Sequence, residues 1–234
     1  FLFLGLIFLF FVLLAKSLFL KDPPVWPDEA IYADIASNIL TKGQPGTELW
    51  QGLLPGVEKQ ALWYPPVFFY ALVFWFKLTG FSIIKQRLLS LIFALCFLLV
   101  FYFFSSSFFK RKTKFSFLPV LLLAADFNFI KASRISRPEI FLLFWGFLAL
   151  YFFNKLSRSN LTRYSETSPE KFDSLLSSSV QQSGRFSASR NKAEKQKNNL
   201  FSLSAGFFAS LAFLTHLVGI FFFLIIFFKL LLKN

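Results

Sequence analysis

A chain of 234 residues that is 56% hydrophobic, with 38 phenylalanines and a mean hydropathy of +0.59, carries more apolar material than a soluble domain of that size can cover with polar surface. Much of the formal charge of +13 falls in short basic clusters beside apolar runs, where it reads as membrane orientation and headgroup contact. No recognition fold accompanies it, so nucleic acid is set aside as a partner. A single cysteine, Cys96, inside an apolar run excludes both a disulfide framework and a cysteine metal site.

The expected fold is therefore all-α, a polytopic membrane protein. About 20 apolar residues cross a bilayer as a helix, and runs approaching or exceeding that length occupy 1–20, 88–109, 115–130, 140–153 with its neighbours, and 201–228. Residues 1–20 lack the basic flank and the small-residue cleavage site of a signal peptide. With no methionine and a start inside an apolar run, the chain reads as a fragment of a longer protein.

Basic clusters orient the runs. "FFKRKTKF" at 108–115 and the Lys/Arg-bearing segment 155–200 should both face the cytoplasm. Residues 1–20 then run outward, 21–86 form a first outer segment, 87–109 return, 115–130 exit, 131–139 make a second outer loop, and 140–154 return. The organisation expected is an amino-terminal module over 1–154, a flexible linker over 155–200, and a further helix or helix pair over 201–234, with a turn at "LTHLVG".

Within the first outer segment, "DEAIYADIASNIL" places Ile31, Ile35 and Ile39 on one helical stripe, ended by Gly43 and Pro45. "YPPVFFYALVFWFKLTG" predicts a second helix of about 16 residues opening on a proline pair, short for a span and bounded by Gly80. Both are expected at the membrane interface, with a transmembrane placement of the second left open. Segment 155–200 is rich in Ser, Lys and Asn and lacks the apolar periodicity to fold.

Asp28 and Glu29, in "VWPDEAIYADIASNIL", are the residues that composition does not explain. An ionised carboxylate is costly in hydrocarbon, so the pair sits at a water boundary or serves a purpose there. Asp28 follows Pro27 at a position suited to an N-cap, with Glu29 favourable in the first turn. Asp34, further along, reads as solvated.

Four blocks, "WPDEAIYADIASNIL", "VEKQALWYPPVFFYALVFWFKLTGFS", "SRISRPEIFLLFWGFLALYFF" and "SAGFFASLAFLTHLVGI", resemble in order and spacing the amino-terminal half of GT-C superfamily glycosyltransferases. The branch is that of the protein O-mannosyltransferases and aminoarabinose transferases. The resemblance implies a GT-C-like transmembrane helix bundle with interfacial helices in its first outer loop. It implies transfer of a sugar from a polyprenyl-phosphate donor to a glycolipid, glycan or protein hydroxyl, with inversion, on the outer face of what we take to be a prokaryotic plasma membrane.

Carried onto this sequence, the resemblance makes Asp28 and Glu29 the catalytic pair. Glu58 becomes an acceptor or base-assisting residue, although the insertion "QALWY" before Pro65 departs from the family's tighter spacing. Arg134 and Arg137 face the lipid phosphate, Glu139 contacts the sugar or joins Asp28 on a divalent cation, and His216 is set near the donor phosphate. The chemistry agrees: a polyprenyl phosphate leaves without a general acid, the attacking hydroxyl benefits from a carboxylate base, and Arg offers a planar fork to developing phosphate charge. No cofactor is assigned, a divalent cation stays open, and nothing has zinc-site spacing. These roles require the two outer loops to fold together, Asp28 opposite the arginines. A polytopic transporter or lipid-binding protein using the acidic pair for a cation or proton is the alternative.

Overall fold

The structure is a computed structural model that describes residues 2–19, 24–61, 66–107, 117–166, 196, 199–212 and 219–231. Among the described residues every regular element is a helix. These are α1 (Leu2–Phe19), α2 (Pro27–Lys42), α3 (Pro66–Thr79), α4 (Ile83–Ser106), α5 (Leu118–Ala125), α6 (Phe127–Arg134), α7 (Pro138–Glu166), α8 (Asn199–Ala212) and α9 (Ile220–Leu231). The all-α reading holds.

Local sequence explains most boundaries. α2 opens with Pro27 at its first position and closes at Gly43, whose φ of 70° is the left-handed conformation of a helix stop and whose N–H donates to the Ile39 carbonyl. Gly80, at φ 83°, closes α3 in the same way. The predicted stripe on α2 is real at Ile31 and Ile35, which pack with Tyr32, Phe68, Phe69 and Leu72 of α2 and α3 in one buried cluster. That cluster also takes in Leu89 of α4 and Phe141 of α7.

α4 and α7 form the central pair, and they run parallel. Their amino-terminal ends meet around Glu29, which bonds both Arg87 and Ser136. Near the opposite ends, the Asn154 side-chain amide donates to Ser107 Oγ at 2.5 Å. Between these ties the helices interlock through rings. Phe93 stacks on Phe141 at 3.9 Å between centroids, while Phe97, Phe101 and Phe104 each meet Phe147 at 5.3–5.5 Å. Edge and stacked ring pairs of this kind add about 0.5–1.5 kcal/mol each beyond the area they cover.

A parallel pair requires a crossover, which α5 and α6 supply. The sequence predicts one run over 115–130 followed by a loop over 131–139; the structure breaks the run at Asp126 and carries the helix on to Arg134. The reason is a cap: Asp126 Oδ1 accepts the Phe129 N–H at 2.7 Å and restarts the helix on a new axis. α1 packs on this crossover through Ile7 and Phe11, the latter 5.4 Å from Phe129.

α4 and the Pro138–Ser157 part of α7 are each long and apolar enough to cross a membrane. Only 33% of the residues in either apolar window are buried within the fold, whereas a helix at the core of a soluble protein is covered nearly all round. Lipid is the solvent that suits the remainder. α7 also runs past the expected boundary at 154, so 155–166, the first part of the expected linker, is helical. The rest of the linker through 195, and the "LTHLVG" turn except Gly219, lie outside the described residues.

α9 reaches α7 at Gly146, where an added Cβ would lie 2.5 Å from the Phe222 ring. Small residues at such crossings are what lets helices approach in lipid. Gly146→Val should therefore push α9 away and cost about 1–3 kcal/mol, seen as a lower thermal midpoint in detergent, while Gly206→Ala, with open space around it, should not.

Candidate functional site

The site grows from the first turn of α2. Trp26 is the N-cap residue, Pro27 follows, and the Glu29 side chain reaches back so that Oε2 accepts the Trp26 N–H at 3.1 Å. This is the reciprocal half of a capping box. The capping role that the sequence suggests for Asp28 thus falls to Glu29, and Asp28, one position earlier, is left to point elsewhere.

Glu29 does more than cap. Arg87 grips its carboxylate with two bonds, Nε to Oε1 at 2.9 Å and Nη2 to Oε2 at 2.7 Å, and the Ser136 N–H donates to Oε1 at 2.9 Å. The Gln86 amide adds a bond to the Glu29 carbonyl at 3.2 Å. Both charged side chains are buried, at 0% and 5% exposure. Burial alone would push the Glu29 carboxyl up. The hydrogen bonds from Arg87, Ser136 and Trp26, together with the Arg87 charge, outweigh it and hold the group below the ordinary carboxylate range.

This ion pair sets the positions of its neighbours. By fixing Ser136 against α2 it holds the segment that carries Arg137 and Glu139, which follow at once. Arg137 Nη2 lies 3.6 Å from Asp28 Oδ2 and 2.8 Å from Glu139 Oε1. One guanidinium nitrogen thus bridges the two carboxylates. All three side chains are about one-third exposed, at 31–38%, so water reaches them. Arg134, at the end of α6, is partly buried, and burial and the Arg87 charge both disfavour its own charge.

Asp28, Arg137 and Glu139 are therefore brought together, with Glu29 beneath them and Arg134 close to Arg87. Glu58 is not among them. It lies beside Gly46, whose carbonyl accepts from Asn38 near the carboxy-terminal end of α2. At 1.5 Å per residue that end is about 15 Å from Asp28. Asp34 is structural rather than merely solvated, accepting Thr47 Oγ1 at 2.7 Å and the Glu48 N–H at 2.8 Å. His216 lies outside the described residues. Among the described residues no group of three or more His, Cys, Asp or Glu is placed to hold a metal ion.

The sequence reading gave Arg87, Gln86 and Ser136 no role. Only Arg87 carried a signal: a guanidinium in the first turns of an apolar, span-length helix needs a partner, and the nearest unexplained carboxylates are Asp28 and Glu29. Ser136 acts through its backbone N–H, which no residue type announces.

Residues 64–165, under half of the chain, match the family model of dolichyl-phosphate-mannose-protein mannosyltransferases. The matched segment contains Arg87, Arg134, Arg137 and Glu139; Asp28 and Glu29 lie before it and are joined to it by the bonds described above. No curated protein and no solved structure matches the chain.

Removing one partner of a buried ion pair strands the other. Arg87→Met should cost about 3–5 kcal/mol, and adding Glu29→Gln should recover part of the loss, measured as thermal midpoints in detergent. Because the folded Glu29 carboxyl titrates below its unfolded value, its stabilisation is fully present above about pH 4.3. It fades as pH falls from there through the lower folded value. Wild-type midpoints should thus drop on acidification below that range, and the drop should be shallower in the Glu29→Gln, Arg87→Met double variant.

Proposed function

From the premise that the chain is a mannosyltransferase-like glycosyltransferase of the GT-C type, we propose that it moves a sugar from a polyprenyl-phosphate donor to a hydroxyl acceptor with inversion. The reaction takes place on the outer face of a membrane that the chain crosses several times, a prokaryotic plasma membrane in our reading. The acceptor is a glycolipid, a glycan or a protein.

In this reading Asp28 is the base. The acceptor hydroxyl approaches the anomeric carbon opposite the phosphate. Its oxygen bonds to that carbon as the carbon–oxygen bond to phosphate breaks, its proton passes to an Asp28 oxygen, and the electron pair leaves with the polyprenyl phosphate. The phosphate ends with an additional negative charge against Arg137, with Arg134 as the second cation. A guanidinium held at the site before the charge develops stabilises it without waiting for solvent to reorganise. Glu29 is a positioning residue: with no exposure and four donors on its carboxylate, it has nothing left to offer a substrate.

The observation that carries the proposal is the 3.6 Å approach of Arg137 to Asp28, a base and a phosphate-binding cation from two separate parts of the chain at one water-accessible point. Asp28→Asn in the full-length protein should lower transfer by at least about 10²-fold while leaving binding of the lipid donor in place, measured with labelled polyprenyl-phosphate sugars. Unchanged turnover would remove Asp28 as the base.

The side of the membrane has its own test. In a Cys96→Ala background, a cysteine at Glu48 should react with an impermeant maleimide added outside intact cells, and one at Lys155 should react only after lysis. The reverse pattern would move the site to the cytoplasmic face.

A further inference from the structure

Two arginine–glutamate pairs lie within one loop's length of each other and are built to opposite specifications. Glu29–Arg87 is bidentate and buried, and both carboxylate oxygens are engaged. Arg137–Glu139 has a single ion-pair contact, from Nη2 to Oε1, and is more than one-third exposed. Each partner keeps an unused group: Arg137 Nε and Glu139 Oε2 are both buried atoms without a hydrogen-bond partner. A pair of that kind is worth about 0.2–1 kcal/mol, small enough for a competing anion to overcome. The Glu29 pair is not exchangeable on the same terms, because opening it strands a buried charge.

Charges on the meeting elements sharpen the contrast. α2 brings Asp28 and Glu29, α4 brings Arg87, α6 ends in Arg134, and α7 begins with Glu139 just after Arg137. Lys85 of α4 is turned to the Thr79 carbonyl, and Lys131 of α6 is exposed. With Glu29 and Arg87 paired, Arg137 meets both of the remaining carboxylates, Asp28 and Glu139. An anion that takes the Arg137 guanidinium must take it from them.

We infer that Glu139 is a competing ligand for Arg137, a positioning residue that holds the guanidinium beside Asp28 until a lipid phosphate displaces it. This rests on the proposed donor. The phosphate takes Arg137 by its fork, including the idle Nε. Glu139 lets go, and Asp28, losing the same nitrogen, is free to accept a hydroxyl proton. Donor arrival and release of Asp28 from Arg137 become one event.

The sign of one substitution tests the idea. Binding of undecaprenyl monophosphate, the sugar-free leaving group, would be measured on the full-length protein in nanodiscs. Glu139→Gln should tighten it about two- to fivefold, the worth of an exposed pair, and Glu139→Asp should return it toward wild type. Arg137→Ala should weaken binding, and Glu139→Gln added to Arg137→Ala should change nothing further. Weaker binding in Glu139→Gln, with Arg137→Ala also weak, would make Glu139 a direct substrate ligand or a prop and overturn the inference while leaving the donor assignment standing. No phosphate binding by the wild-type protein would overturn both.

Discussion

The Glu29 carboxylate, buried without exposure, is the constraint from which the rest follows. A charge in that position must have every lone pair met, and the partners it recruits come from three places in the chain: the Trp26 N–H, the Arg87 guanidinium and the Ser136 N–H. Meeting them pins the start of α2 to the start of α4 and to the segment that opens α7. Each tie alone is modest. Together they are cooperative, because loosening any one leaves a desolvated group behind.

The function we propose gives two neighbouring charges unequal fates. Glu29 is committed and rigid; Asp28 is held by one long contact and remains in reach of water. A residue that must accept a proton has to be available, and a residue that aims it has to be immobile. Sequence adjacency gives the pair different faces of the first helical turn, so the two duties are divided without extra chain. Arg87 and Arg137 divide the cationic duties in the same manner.

Below the site, aromatic packing does the work that hydrophobic burial does in water. Lipid tails are as apolar as phenylalanine, so α4 and α7 are held by fit rather than by escape from solvent. The Phe93–Phe141 stack and the contacts around Phe147 give that fit, and the Asn154–Ser107 bond fixes register near the far end. The parallel pairing puts the starts of both helices at one level, which is where Arg87 and Arg137 lie.

The sequence by itself determined the solvent, the helices and the class of chemistry. Apolar runs have one stable backbone solution in lipid, and glycine, proline and 3.6-residue periodicity act locally, so α2, α3 and their ends could be read from neighbours alone. Asp28 could be singled out because a charge in such a chain needs a reason, whereas Arg134, Arg137 and Glu139 stand out through the resemblance of their block to the GT-C transferases. What only the tertiary structure decided was how those charges are shared. It gave Glu29 to Arg87, moved the cap from Asp28 to Glu29, broke the third apolar run at Asp126, left Glu58 at the other end of α2, and made Arg137 the common partner of Asp28 and Glu139. Each of these turns on a distance of a few ångströms between residues far apart in the chain, or on a backbone N–H that every residue type but proline carries. Residue identity and spacing hold no record of either.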